Sequence, residues 1–169
     1  MRQVVEAYVR IVDRVNRAIG RATMYMIFVM IGVLFYSSLT KAFSTPALWT
    51  LDMAQFLMMA YFFLGGPYSL QIDGHVRMDL LYSTWSARRR AAVDAVTFVF
   101  LLFYLVMLLI GSIDSTIYAL TFNERTFSAW RPYMWPIKLV LTFGAVMMLL
   151  QVLSQFCKDV ATATGRPLS

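Results

Sequence analysis

Few side chains in this sequence are able to carry chemistry. Asp114 lies at the end of a long apolar stretch, with residues 95–113 uncharged, Ser112 and Ser115 beside it and Gly111 one turn back. An ionisable group inside a membrane span is a functional candidate, in this case a cation or proton site. The competing role is structural, a carboxylate near a span end that bonds a neighbouring helix or reaches interfacial water. No second acid or basic partner occurs at mid-depth in another apolar stretch, so the structural role is the expected one. His75 has the chemistry of a pH switch or a metal ligand. It is the only histidine and no cysteine lies near it, which favours a loop-bracing role. Asp73, Arg77 and Asp79 either pair with one another or recognise the end of a partner's helix. The residue types do not choose between those two.

Nothing pairs a nucleophile with a base, cradles a phosphate in glycines or spaces ligands for zinc, so neither enzyme activity nor a metal or other cofactor is expected. The single cysteine, Cys157, excludes an internal disulfide and a thiol pair. One histidine excludes a bis-histidine haem.

The elements around these residues follow from composition. Hydrophobic residues make up 60% of the chain and charged residues 14%, against about 45–50% and about 25% in soluble domains. The class is an all-α integral membrane protein. The net charge of +6 is no nucleic-acid signal, because the arginines cluster beside the apolar runs rather than interleaving with aromatic residues.

Residues 1–21 have the pattern of a basic amphipathic helix. Val4, Tyr8, Ile11, Val12, Val15 and Ile19 share one face. Gln3, Glu6, Arg10, Asp13, Arg14, Arg17 and Arg21 share the other. Such a helix is expected in the headgroup plane, either on lipid or docked on a partner subunit. A secretory signal is not expected, since Glu6 and Asp13 interrupt the segment and no small-residue cleavage site follows the first span.

Four spans are expected, at 22–43, 52–72, 93–118 and 133–157, each near the roughly 20 residues a crossing helix needs. They form two hairpins joined by a central loop over 73–92, with an outer loop over 119–132 and a loose tail over 158–169. Asp52 is placed to cap the second helix, with Thr50 as the alternative. Gly65-Gly66-Pro67 is expected to weaken or kink it. Lys138 is expected to snorkel outward.

Arg2, Arg10, Arg14, Arg17, Arg21, Arg77, Arg88, Arg89, Arg90, Lys158 and Arg166 fall on one side of these spans, and Lys41, Arg125, Arg131 and Lys138 on the other. The positive-inside rule then places both termini and the central loop in the cytoplasm.

The run Asp73-Gly74-His75-Val76-Arg77-Met78-Asp79-Leu80-Leu81, followed by Ser86-Ala87-Arg88-Arg89, resembles the G-H-V-R-x-D element of one known family. That family is the small permease subunit (DctQ-like) of tripartite ATP-independent periplasmic, or TRAP, transporters. Asp52 and the stretch Glu124…Ser128-Ala129-Trp130-Arg131-Pro132-Tyr133-Met134-Trp135-Pro136-Ile137-Lys138 are also similar, and the layout agrees over nearly the whole chain. Ser37-Ser38-Leu39-Thr40-Lys41 departs from the arginine-tyrosine pattern many members carry.

The resemblance implies a scaffold in a bacterial inner membrane. Its partners would be a large multi-span permease subunit holding the substrate and sodium sites, a periplasmic solute-binding protein met transiently, and membrane lipid. Organic acids are the substrate class the family suggests. On this reading the central loop, with Asp73, Gly74, His75, Arg77 and Asp79, meets the large subunit. Arg14, Arg17, Arg21, Arg88, Arg89 and Arg90 anchor the membrane edge. Glu124, Ser128, Trp130, Pro132, Trp135 and Lys138 are candidates to meet the binding protein, although a tryptophan- and proline-rich break is equally an interfacial anchor. A stand-alone four-helix exporter, a redox subunit and an assembly protein of another complex are the rivals. The first lacks a mid-depth acid in spans one and two, and the second lacks paired cysteines or histidines.

Overall fold

In the computed structural model, the backbone is described at residues 2–43, 47–72 and 87–163, and the side chains at 5–43, 47–72 and 97–158. The described residues form four helices, α1 Arg2–Ala42, α2 Thr50–Gln71, α3 Ala87–Phe122 and α4 Trp135–Ala163. Three of them, α1, α3 and α4, are long and apolar enough to cross a membrane. The expected second span, α2, is not among the three. Its 22 residues include Asp52, Gln55, Gln71 and Gly65-Gly66-Pro67, which dilute the apolar run. It is still about 33 Å long, close to the thickness of a hydrocarbon core. The helix continues through Pro67 to Gln71.

α4 packs against all three other helices, and α2 lies between α1 and α4. α1 and α2 run side by side in opposite directions. Ser37 sits at Thr50, Thr23 at Gly65, Gly20 at Tyr68 and Asp13 at Gln71. Small residues set the approach. A Cβ on Gly20 would come within 2.3 Å of the Tyr68 Cβ, and one on Gly144 within 2.7 Å of the Phe63 carbonyl oxygen. Close backbone approach of this kind is how helices gain packing energy in lipid, where apolar burial between them adds little.

α1 shows no break at residues 21 and 22, so the boundary expected between a surface helix and a first span is continuous helix. Its buried face also differs from the expected one. Val9, Val12, Asn16, Gly20 and Thr23 are buried, while Ile11 and Val15 are exposed. The interior face is thus turned by about 100°, one residue step. The physical reason is that the bundle interior takes the small and hydrogen-bonding side chains, which let helices approach closely and bond to one another.

At the far end of α3, Asn123 adopts φ 49° and the Glu124 amide donates to the Ala119 carbonyl at 3.2 Å. This is a Schellman-type C-cap. The chain then forms a two-legged loop, in which Thr126 N donates to Pro132 O and Met134 N to Glu124 O, both at 3.0 Å. Pro136 lies in the first turn of α4, where its missing N–H costs nothing. α4 extends beyond the expected span end at 157, so the start of the expected loose tail is helical to Ala163. The reason is that Lys158 has a partner on α1.

Candidate functional site

The polar side chains in the helix interfaces collect in two layers. At one end, Asp13 of α1 gathers donors from α4. Lys158 forms an ion pair with it, the Gln151 Nε2 donates to its Oδ1 at 3.1 Å, and the Ser154 hydroxyl lies 3.4 Å from the same oxygen. Gln71 of α2 donates to the Asp13 backbone oxygen at 3.2 Å. One turn along α1, Asn16 Nδ2 donates to Gln151 Oε1 at 2.6 Å. The Tyr8 hydroxyl donates to the Leu150 carbonyl at 3.0 Å. Asn16, Gln151 and Ser154 are all buried. Asp13 is therefore not a member of the outward polar face expected for it, whereas Arg14, Arg17 and Arg21 are exposed.

At the other end, Asp52 is buried in the first turn of α2 and accepts a hydrogen bond from the Ser128 hydroxyl. It does not cap the helix as expected, and neither does Thr50. The cap position is Trp49, without a side-chain bond, and the Thr50 hydroxyl lies 2.9 Å from Ser37 Oγ and 2.8 Å from the Ala47 carbonyl. Asp52 gains from the helix N-terminus all the same, because the exposed amide dipoles there favour a carboxylate. Ser128 also accepts from the Arg131 amide at 3.2 Å, which ties the outer loop onto α2. Glu124 and Lys138 form an ion pair that closes the foot of that loop. Arg125 lies over the Tyr133 ring, 4.2 Å from its centroid.

Between these layers, α3 and α4 are joined by hydroxyls. Thr116 and Thr142 lie 3.0 Å apart, and both reach the Ser112 carbonyl, at 2.7 and 3.1 Å. Phe98 stacks on Phe156 with centroids 4.6 Å apart.

The expected outer-loop contact residues thus divide. Glu124, Ser128 and Lys138 are engaged within the molecule, Pro132 is half-buried, and Trp130 and Trp135 are exposed. Phe127, which the sequence did not single out, is fully exposed at the loop tip. Asp114 is exposed on the side of α3 away from α4, so of the two structural roles expected for it the bond to a neighbouring helix is absent among the described residues. Arg88, Arg89 and Arg90 fall in the first turn of α3, and their side chains lie outside the described residues, as do Asp73, Gly74, His75, Arg77 and Asp79. The inner layer has a signal in the sequence. Gln151, Ser154 and Lys158 recur at helical spacing on one side of an apolar helix, which marks a buried polar face.

The chemistry of these layers is cohesive, since donors and acceptors largely satisfy one another. No group of three metal-ligating side chains occurs among the described residues. An open groove of about 520 Å³ runs beside Thr23, Tyr61, Gly66, Tyr104, Leu108 and Met148, with no charged side chain among the described residues of its lining. An anionic solute would find no counter-charge there.

Residues 30–162 match the family described as tripartite ATP-independent periplasmic transporters, DctQ component. The chain belongs to that family. Comparison with curated proteins gives no match. DctQ is a transporter component and not an enzyme family. The residues matched to it include Asp52, Ser128, Glu124, Lys138, Gln151 and Lys158, so the layer around Asp52 lies wholly within the DctQ stretch and the layer around Asp13 partly, since Asp13 and Asn16 precede it.

Proposed function

We propose that this chain is the small scaffold subunit of a TRAP-type transporter, holding the large multi-span permease subunit in a bacterial inner membrane. Solute delivered by a periplasmic binding protein, an organic acid or similar compound, crosses through the large subunit with sodium. Both termini and the central loop face the cytoplasm, and α2 completes a set of four spans arranged as two hairpins. The arginines of α1 lie at the cytoplasmic edge of the bundle.

The observation that carries this reading is the division of polar groups within a DctQ chain. In the described interfaces they tie helix to helix at Asp13–Lys158 and Asn16–Gln151, and the outer loop to α2 and α4 at Asp52–Ser128 and Glu124–Lys138. The groove beside Thr23 and Met148 is apolar along its described lining. Such a molecule is built to hold a shape rather than to bind and release a solute. A stand-alone exporter needs an embedded acid facing a pathway, and Asp114 faces away from α4.

The test is co-purification. The chain, tagged at its C-terminus and extracted from native membranes in mild detergent, is expected to bring down one large multi-span protein in near-equal amount. Sodium-driven uptake should vanish when the chain is deleted. Recovery of the chain alone and stable would overturn the reading. Activity of a periplasm-only reporter fused after Asp79 would overturn the orientation.

A further inference from the structure

Among the described residues, α3 packs mainly against α4. Leu105, Ser112, Thr116 and Ala119 are buried along one side of the helix. At 100° per residue Asp114 lies almost directly opposite that side. Its neighbours on the outer face, Met107, Ile110, Ile117 and Tyr118, are exposed and apolar. Asp114 has no hydrogen bond or ion pair with any described residue. One turn back, Gly111 has nothing within 4 Å of where its Cβ would be.

The position of Asp114 along the helix decides what can cover it. Apart from Asp114, α3 is uncharged over residues 95–122. If that stretch is centred in the bilayer, Asp114 sits about 8 Å from the midplane, roughly half-way to the edge of a hydrocarbon core about 30 Å thick. An aspartate side chain is too short to reach headgroup water from there, so acyl chains are a poor neighbour for its carboxylate. A second copy packed through the same face about a two-fold axis would bring two carboxylates together, which is also unfavourable. The remaining occupant is a different membrane-embedded partner that offers a positive or strongly donating group at this depth.

We propose that the outer face of α3, centred on Asp114, is the surface on which the large permease subunit docks, with a basic or hydrogen-bond-donating side chain of that subunit meeting the carboxylate. This rests on the scaffold reading above. Gly111 lets the partner's backbone approach close to α3 beside the polar contact, as small residues do between membrane helices. The contact makes the pairing selective, because a partner lacking the donor leaves a carboxylate stranded in hydrocarbon.

The experiment compares the tagged wild-type chain with Asp114→Leu, Asp114→Asn and Gly111→Leu, each co-expressed with the large subunit and purified from native membranes. Asp114→Leu is expected to lower recovery of the large subunit by about tenfold or more, since one partner of a desolvated contact is lost. Asp114→Asn, which keeps a hydrogen-bonding group, should fall between, and Gly111→Leu should lower recovery by steric block. The abundance and melting temperature of the chain itself should stay at wild-type values, because both positions are exposed. A photo-crosslinking amino acid at Ile110 or Ile117 should attach to the large subunit. Wild-type recovery in Asp114→Leu and Gly111→Leu would overturn this inference and leave the scaffold reading standing. Crosslinks to lipid alone or to a second copy would do the same. Absence of a large subunit from the wild-type preparation would instead overturn both.

Discussion

Asn16 on α1 and Gln151 on α4 join the two ends of the chain through a buried amide pair at 2.6 Å. The direction of the pair is set by a third residue. Asp13 accepts only, so Gln151 must turn its Nε2 toward it, which leaves Gln151 Oε1 to face the Asn16 amide. Asn16 Oδ1 then points away and is buried without a donor among the described residues. One carboxylate on α1 thereby orders two amides on two helices.

Gln151→Leu should therefore lower detergent-solubilised stability by about 1–3 kcal/mol, because it leaves the buried Asn16 amide without its acceptor. The double variant Asn16→Leu/Gln151→Leu should recover much of that loss, since both polar groups then go. Thermal unfolding followed by fluorescence measures both. A single variant as stable as wild type would show that the pair contributes nothing.

Asp13→Leu removes the acceptor for Lys158, Gln151 and Ser154 at once. The first half of α1 should then loosen from α4 while the rest of the bundle persists. Hydrogen exchange at the amides of residues 5–20 is expected to speed up by about tenfold, the change a loss of about 1.4 kcal/mol in local opening energy produces. Unchanged protection there would mean that packing at Gly20 and Thr23 alone holds α1.

At the opposite end, Ser128→Ala should leave Asp52 buried and short of its donor, at a cost of about 1–3 kcal/mol. Asp52→Asn should be milder, because an amide retains a bond to Ser128. The ranking of the two melting temperatures is the readout, and the reverse order would place the stabilisation of Asp52 wholly in the helix N-terminus.

Phe127 and Trp130 are exposed aromatic residues of the outer loop, while Glu124 is occupied by Lys138. If this loop meets the periplasmic binding protein, Phe127→Ser and Trp130→Ala should reduce solute uptake several-fold without lowering recovery of the large subunit. Glu124→Ala should act differently, lowering thermal stability by up to about 1 kcal/mol through loss of a partly exposed ion pair. Uptake at wild-type rate in both aromatic variants would remove the docking role.

Gly144→Leu probes the α2–α4 contact. Even a Cβ there would sit 2.7 Å from the Phe63 carbonyl oxygen, so the helices must separate. A loss of about 1–3 kcal/mol in thermal stability is expected, the usual range for overpacking. A silent substitution would mean that α2 shifts freely.

The linear pattern of hydropathy determined the helices on its own. The apolar runs read at 22–43, 52–72, 93–118 and 133–157 fall on α1, α2, α3 and α4, because each apolar run in lipid must satisfy its backbone internally, but the helices outrun them at several ends, most of all at the start of α1. The motif around His75 and the outer-loop stretch pointed to the family that the match over residues 30–162 shows. What the sequence could not determine is which polar side chains turn inward. A helix read alone has only an apolar and a polar side, and on that division Asp13 falls on the outward side. The presence of Lys158, Gln151 and Ser154 on α4 changes that side into an interior one. Asp52 looked like a cap for the same reason, until the outer loop brought Ser128 to it across 76 residues. Asp114 gives the converse case, a carboxylate left facing outward because α4 takes the other side of α3. Hydropathy is a property of each segment, whereas the partner of a buried charge comes from elsewhere in the chain or from another molecule, and only tertiary packing decides which.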